Sequence, residues 1–197
     1  MRSITTSILI AAVMAVASVT HVRAETAIFA GGCFWCVESD LDHVKGVSQT
    51  ISGYAGGTAP APDYENHQGY TEAVKVEFDP AVISYEALTA HFLRTIDVVD
   101  GGGQFCDRGD SYIPALFPLN PQQKQAATRA LHAAAAILRQ PIMVKLSDTA
   151  TFYPAEDYHQ DYFAQNPDNP YCQAVVGPKV AKFQKRYKEM MKKDGEE

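Results

Sequence analysis

Two cysteines stand at the start of one apolar segment, and the first of them has the setting of a nucleophile. Cys33 follows a predicted strand and the pair Gly31-Gly32, where a helix is predicted to begin. Free backbone N–H groups and the positive end of the helix dipole meet there and stabilise a thiolate. Lowering a thiol pKa by about two units from its usual value of about 8.5 makes the thiolate the major form at pH 7. Cys33 is therefore a candidate nucleophile, although a buried, inert cysteine beside a turn fits the same position.

Cys33 and Cys36 also form a CxxC motif, which is typical of a thioredoxin-like redox pair or of half a zinc site. A structural zinc ion takes four ligands. The other candidate ligands are single and scattered: Cys106, Cys172, His43, His67, His91, His132 and His159. No second close pair accompanies the motif, so we predict no metal site.

The spacing of apolar residues predicts alternating strands and helices around this motif. Strands are predicted at 25–32, 47–57, 69–80, 112–118 and 141–147, and helices at 33–46, 84–96, 120–140 and 177–193. The glycine-rich loop at 97–111 is too long for a simple connection, which indicates a functional role. This order predicts an α+β fold, a single domain with helices packed on a mixed sheet in a ferredoxin-like two-layer core. The aromatic, turn-rich segment 151–172 makes the C-terminal part irregular.

Five motifs, in the same order along the chain, resemble those of the A-type peptide methionine sulfoxide reductases. They lie at 32–38, 53–57, 69–80, 104–112 and 152–172. Their cores read Gly-Cys-Phe-Trp, Gly-Tyr-Ala-Gly-Gly, Gly-Tyr-Thr-Glu, Asp-Arg-Gly and, last, Asn-Pro followed by Tyr-Cys. The resemblance covers about residues 26–190, and five motifs in register are far more specific than one CxxC.

The resemblance implies an enzyme that reduces methionine S-sulfoxide, free or in oxidised proteins, to methionine. It makes Cys33 the thiolate nucleophile and Glu72 the acid that protonates the oxygen. Glu72 shares a predicted strand face with Tyr70, Val74 and Phe78. Burial on that face would raise the pKa of Glu72 and keep its proton available. A solvated strand residue is the alternative interpretation.

The same resemblance assigns the remaining site residues. Three polar side chains would face the sulfoxide oxygen: Tyr54, Asp107 and Tyr112. Phenol O–H groups can donate to an oxygen that gains negative charge as the sulfur is attacked. Three aromatic rings would form an apolar wall for the methyl group of the substrate: Phe34, Trp35 and Tyr171. Ordinary packing is the alternative for each of these rings.

After the attack Cys33 would carry a sulfenic acid, which a second thiol condenses into a disulfide. The resemblance places this resolving cysteine at Cys172, in a Pro- and Asn-rich segment that suits a mobile approach. Cys36 and Cys106 stay open as resolving or relay cysteines, because many family members have glycine and a non-cysteine residue there. An outside thioredoxin-like dithiol would restore the thiols, and no bound cofactor is expected.

Two further departures from the family's pattern concern the rim of the site. Tyr70 stands where the family commonly has histidine, and Ile113-Pro114 follow Tyr112. These differences would alter the pocket rim and hence the preference for free or protein-bound substrate.

The first 24 residues predict export. A cationic start, an apolar stretch of about 17 residues and the small residues Val22 and Ala24 describe a signal peptide cleaved after Ala24. The catalytic domain would then be 25–197, in the periplasm. An uncleaved anchor is the alternative, but the stretch is short for a span of about 20 residues.

Composition limits the partners. A chain of 197 residues with 46% hydrophobic side chains is long enough for one compact domain. Its net charge of -6 provides no general attraction for nucleic acid or anionic lipid. We therefore expect no nucleic-acid partner and no membrane partner after cleavage of the signal peptide. We also expect a monomer.

Two other functions compete with the reductase. An exported thiol–disulfide oxidoreductase would use Cys33 and Cys36 and would make Glu72 and the tyrosines incidental. A small secreted binding domain would carry two structural disulfides, which four cysteines allow in three pairings. A loss of thiols that depends on added sulfoxide distinguishes the reductase from both.

Overall fold

The computed structural model describes residues 23–148 and 151–193. The predicted signal peptide lies outside the described residues, apart from its last two positions. Within the described part, no helix is both long and apolar enough to cross a membrane.

The principal strands are β1 (Glu25–Ala30), β2 (Val47–Ala55) and β3 (Thr71–Phe78), and β4 (Gly103–Gln104) and β5 (Asp107–Arg108) form a separate small hairpin. Three short strands follow: β6 (Ala115–Leu116), β7 (Lys145–Leu146) and β8 (Phe152–Pro154). The helices are α1 (Phe34–Asp42), α2 (Tyr85–Thr95), α3 (Pro121–Leu138), α4 (Tyr162–Gln165) and α5 (Gly177–Arg186).

One six-stranded sheet organises these elements, in the order β7-β6-β1-β3-β2-β8. The pairs formed by β1, β2, β3, β6 and β8 are antiparallel, whereas β6 and β7 are parallel. Along the chain, β1-α1-β2-β3-α2-β6 is a split βαβ arrangement with its strands in the order β6-β1-β3-β2, which is the ferredoxin-like topology. The predicted α+β fold with a mixed sheet is confirmed.

The central strand β3 shows why the sheet is buried. Val74, Val76 and Phe78 are wholly buried, and they alternate with half-buried Lys75 and Glu77. This face joins the main core, whose helical side comes from α1, α2 and α3. The opposite face of the sheet packs a smaller cluster made of alanines, Ile28 and aromatic side chains. The sheet therefore holds the chain segments of the site in register.

Several elements are shorter than their patterns predict. The strand expected at 112–118 is reduced to β6, next to a 3₁₀ turn at Asp110–Tyr112, because prolines at 114 and 118 interrupt the pairing. The helix expected at 177–193 ends at Arg186. Beyond it, Met191 pairs with Val44 in an isolated bridge, which fastens the end of the chain to the turn after α1. The strand β8 was not predicted from sequence.

Candidate active site

Cys33 occupies the N-cap position of α1, as the sequence predicts. The turn before it needs glycine, since Gly32 has a φ of +85° and a Cβ at this position would lie 2.5 Å from Cβ of Gln104. Gln104 is buried and its amide is held by two hydrogen bonds to the backbone of Asp97. The turn therefore fixes the position of Cys33 at the start of the helix, where Cys33 is 8% exposed.

Glu72 lies on β3 directly beside this helix start. Its Oε2 accepts a hydrogen bond of 2.9 Å from the backbone N–H of Phe34, and the residue is only 2% exposed. Burial raises the pKa of Glu72 well above its ordinary value, the negative charges of Cys33 and Asp107 raise it further, and the Phe34 N–H opposes them. Glu72 is thus biased toward its protonated form next to the head of α1.

The thiol of Cys33 behaves differently from the expectation based on helix position alone. A hydrogen bond with the Cys36 side chain and burial raise the pKa of Cys33, while Tyr171 opposes them. These effects outweigh the stabilisation expected from the helix start. Cys33 therefore favours its protonated thiol form.

A cavity of about 200 Å³ is lined by both Cys33 and Glu72. Eight side chains line it: Cys33, Phe34, Trp35, Tyr64, Glu72, Asp107, Tyr112 and Tyr171. Seven of them are residues that the sequence singled out, and they come from the start of α1, from β3, from the loop after α2 and from the segment after α4. The fold thus brings together positions as far apart as 33 and 171.

The polar rim of the cavity is made of phenols and one carboxylate. Tyr171 donates a hydrogen bond of 2.5 Å to Oδ2 of Asp107. Burial first, and then nearby carboxylates and thiols, raise the pKa of Tyr64, Tyr112 and Tyr171. All three phenols therefore keep their protons and can donate hydrogen bonds.

The apolar wall is anchored from behind by a histidine. Trp35 stacks on Tyr162 with ring centroids 3.8 Å apart, and its indole N–H donates to Nδ1 of His159 at 3.1 Å. Phe34 packs against the same imidazole at 5.0 Å. His159 is buried, and burial lowers its pKa. It is therefore an uncharged acceptor that orients Trp35.

Tyr54 and Cys172 were expected in the site but do not line the cavity. Tyr54 is the register partner of Glu72 on β2, yet its hydroxyl turns to Oε2 of Glu156 at 3.2 Å. Cys172 is wholly buried in an apolar cluster with Cys33, Cys36, Val176 and Val180. This cluster, named here the cysteine cluster, lies behind the head of α1.

The remaining unusual positions lie away from the cavity lining. Cys106 is exposed in the turn between β4 and β5, and all four cysteines of the chain are free thiols. Tyr70 is buried and donates its hydroxyl hydrogen bond to the carbonyl of Ala59. Among the described residues, no group of three or more His, Cys, Asp or Glu side chains is arranged to hold a metal ion.

Sequence reasoning missed Tyr64 and the structural part played by His159. Tyr64 stands in a Pro-rich loop whose composition indicates only a connection. Its backbone N–H donates to Oε1 of Glu156 at 3.0 Å, which brings the loop to the cavity. From the sequence, His159 was only one of the scattered candidate metal ligands and part of the matching segment 152–172, and its contact with Trp35 across 124 residues leaves no local signal.

A larger hollow, of about 570 Å³, lies between α2, α3 and α5. Its lining is mostly apolar and includes Leu93, Ile137 and Phe183, but neither a thiol nor the carboxyl of Glu72 reaches it. The larger volume of this cavity therefore does not identify it as the active site. The chemistry is concentrated in the smaller cavity.

The fold and the smaller cavity define an α+β protein in which a buried cysteine at a helix start shares a small cavity with a buried carboxyl. A family model described as Peptide methionine sulfoxide reductase matches residues 25–192. The chain belongs to the peptide methionine sulfoxide reductase family.

Individual relatives agree with this assignment. The chain is 52% identical over 143 residues to Peptide methionine sulfoxide reductase MsrA 2 of Rhizobium meliloti, covering 72% of each chain. It is 44% identical over 169 residues to the MsrA of Deinococcus radiodurans, covering 83% of this chain and 82% of that one. The solved structure of methionine sulfoxide reductase A of Corynebacterium diphtheriae is similar with a TM-score of 0.69 and 31% identity, over 73% of this chain and 76% of that one.

Proposed function

We propose that this protein reduces methionine S-sulfoxide, free or in oxidised proteins, to methionine, and so repairs oxidised proteins. The observation that carries the proposal is the meeting of Cys33, Glu72 and the aromatic pair Phe34-Trp35 around one small cavity. Reduction of a sulfoxide needs an acid that protonates the leaving oxygen, and the buried carboxyl of Glu72 is placed to supply that proton. The family assignment supports the same activity.

The first half of the reaction transfers the sulfoxide oxygen to Cys33. The methyl group of the substrate lies against Phe34 and Trp35, and its oxygen accepts hydrogen bonds from Glu72 and the rim phenols. As the Cys33 sulfur attacks, Glu72 protonates the oxygen. The substrate S–O bond breaks, methionine leaves, and Cys33 carries the oxygen as a sulfenic acid.

The second half closes a disulfide. A second thiol attacks the Cys33 sulfur and the oxygen leaves as water. Cys172 is the resolving cysteine in this proposal, because it packs in the same buried cluster as Cys33. Cys36 packs there as well and is the alternative, whereas Cys106 is exposed on a different loop.

The electron donor and the compartment follow from the sequence pattern. A thioredoxin-like dithiol reduces the disulfide and restores the thiols, with no bound cofactor. Residues 1–24 act as a signal peptide cleaved after Ala24, so that the mature enzyme works in the periplasm. We take it to be a monomer. The mildly acidic net charge of -6 supports action on proteins rather than on nucleic acid or lipid.

One turnover of reduced enzyme with methionine sulfoxide tests the proposal. Wild type should form one methionine per enzyme and lose two thiols, which mass spectrometry should locate at Cys33 and Cys172. Cys33→Ser should form no methionine, since the oxygen acceptor is gone. Cys106→Ser is the matched control and should behave like wild type. Methionine production by Cys33→Ser would refute the mechanism.

The same experiment tests the resolving cysteine. Cys172→Ser should form methionine at the wild-type rate but leave the sulfenic acid on Cys33, which a dimedone-type reagent traps. A wild-type disulfide between Cys33 and Cys36, or an unchanged disulfide in Cys172→Ser, would instead assign the role to Cys36.

A further inference from the structure

A buried ion pair lies next to the cysteine cluster and has no part in the mechanism above. Nζ of Lys179 lies 3.1 Å from Oδ2 of Asp40, and the two residues are 9% and 4% exposed. Removing two charges from water is costly, and their attraction repays the cost only when the remaining polar atoms are also satisfied. Oδ1 of Asp40 has no hydrogen-bond partner. The pair is therefore expected to add little to the stability of the fold, which leaves a functional role to be considered.

The two residues of the pair lie on the two helices that pack around the cysteines, Asp40 on α1 and Lys179 on α5. Asp40 follows Cys36 by four residues on α1, so both lie on one face of that helix. Lys179 stands on α5 between Val176 and Val180, which pack directly on the cysteines. The ammonium group is thus close enough to Cys36 and Cys33 for the charges of their sulfurs to act on it.

The surroundings keep Lys179 charged. Burial lowers its pKa, but Asp40 and the sulfurs of Cys36 and Cys33 raise it by more, so that the net shift of the Lys179 pKa is upward. The ring of Phe105, from the β4–β5 turn, lies 5.5 Å from Nζ and adds a cation–π contact. On the side of α1, burial raises the pKa of Asp40, whereas Lys179 and His43 lower it.

We propose that Lys179, held in place by Asp40, is a positioning residue that stabilises thiolate charge in the cysteine cluster while the sulfenic acid on Cys33 is closed into a disulfide. This inference rests on the proposed function, because it concerns the second half of that reaction. A fixed positive charge in a site that excludes water acts strongly on an anion formed nearby.

The step balances without any further reagent. The resolving thiol loses a proton, and its thiolate attacks the sulfur of the Cys33 sulfenic acid. A sulfur–sulfur bond forms and the sulfur–oxygen bond breaks, and the oxygen takes up one proton and leaves as water. The resolving sulfur is oxidised and the Cys33 sulfur is reduced. Lys179 transfers nothing; its charge favours the attacking thiolate.

The test follows disulfide closure against pH in single turnovers, with acid quench and alkylation to count free thiols. Lys179→Leu should close the disulfide about tenfold more slowly at pH 7, with its pH–rate profile shifted by about one unit toward alkaline pH. Lys185→Leu removes an exposed charge from the same helix and is the control that should match wild type.

A second variant covers the case in which Lys179→Leu fails to fold because it leaves the charge of Asp40 unpaired. Asp40→Leu/Lys179→Leu replaces the whole pair by apolar side chains, an exchange that buried pairs commonly tolerate, and it should show the same alkaline shift. A merely structural role for Lys179 would lower stability without moving the profile. An unmoved profile in a folded double variant would therefore overturn the inference. Failure of wild type to form methionine would refute the proposed function instead.

Discussion

The charge of Cys33 affects the protonation of Glu72 across the head of α1. Burial, and then the negative charge of an ionised Cys33, raise the pKa of Glu72, while a hydrogen bond with Cys36 and burial raise the pKa of Cys33. In the proposed mechanism, Glu72 gives its proton to the sulfoxide oxygen as the sulfur of Cys33 attacks. Acid and nucleophile are therefore best understood as one coupled unit.

Replacing Glu72 by glutamine tests its part in this unit. Glu72→Gln keeps an oxygen that can accept from the Phe34 N–H but has no acidic proton. Methionine formation in a single turnover should slow by about 10²–10⁴-fold, the usual contribution of a general acid. Alkylation of Cys33 by iodoacetamide should persist, which shows that the thiol stays reachable. A methionine-forming rate equal to that of wild type would remove Glu72 as the acid.

At the level of elements, the connection between β1 and α1 is the most constrained part of the site. The backbone of Gly32 adopts a left-handed conformation, and Gln104 occupies the space that a side chain at this position would need. Because Gln104 is itself bonded twice to Asp97, it cannot move aside. The position of Cys33, at the end of the turn between β1 and α1, thus depends on the glycine-rich loop 97–111. The same loop carries Asp107 at the rim of the cavity.

Two glycine substitutions separate backbone strain from steric overlap. Gly69 has a φ of +82° with no atom near a would-be Cβ, whereas Gly32 has a similar φ and the contact with Gln104. Gly69→Ala should lower the free energy of unfolding by about 1 kcal/mol through strain alone. Gly32→Ala should lose about 3 kcal/mol, because overlap adds to the strain. Urea unfolding measures both, and equal losses would contradict the role given to Gln104.

For the molecule as a whole, two buried titratable groups make opposite contributions to the pH dependence of stability. Burial, together with Asp42 and Asp161, raises the pKa of Glu38 to about 8. Burial lowers the pKa of His91 to about 4, and both ring nitrogens of this histidine have no hydrogen-bond partner. The folded protein therefore favours a protonated Glu38 and a neutral His91.

The sign of the pH dependence follows from linkage. The unfolded chain releases the Glu38 proton near pH 4.5, so the contribution of Glu38 is lost as pH rises toward 8. The unfolded chain protonates His91 near pH 6.5, so the contribution of His91 is lost as pH falls toward 4. Glu38→Gln should gain stability relative to wild type by up to about 1.4 kcal/mol per pH unit between pH 5 and 8.

The companion variant covers the acid side. His91→Leu should become more stable relative to wild type as pH falls from 6.5 to 4, since no buried imidazole then needs to be charged. Thermal unfolding across pH 4 to 9 measures both variants. Parallel pH curves for wild type and Glu38→Gln would show that Glu38 does not titrate in this range.

Local patterns in the chain were sufficient for much of this protein. The strand pattern of β3, the Asn-Pro start of α3 and the glycines before Cys33 depend on neighbours a few residues away, so they can be read directly. The βαββαβ order predicts the two-layer core for the same reason. The family motifs then point to most of the residues around the cavity.

Contacts between distant segments account for what those patterns could not supply. The bond from Trp35 to His159, the turn of the Tyr54 hydroxyl toward Glu156 and the pairing of Lys179 with Asp40 all join segments more than 100 residues apart. The pKa of Cys33 also departs from the expectation based on helix position, since burial and the Cys36 thiol outweigh the helix end. Burial and pKa depend on every group that surrounds an atom, and that environment exists only once the chain has folded.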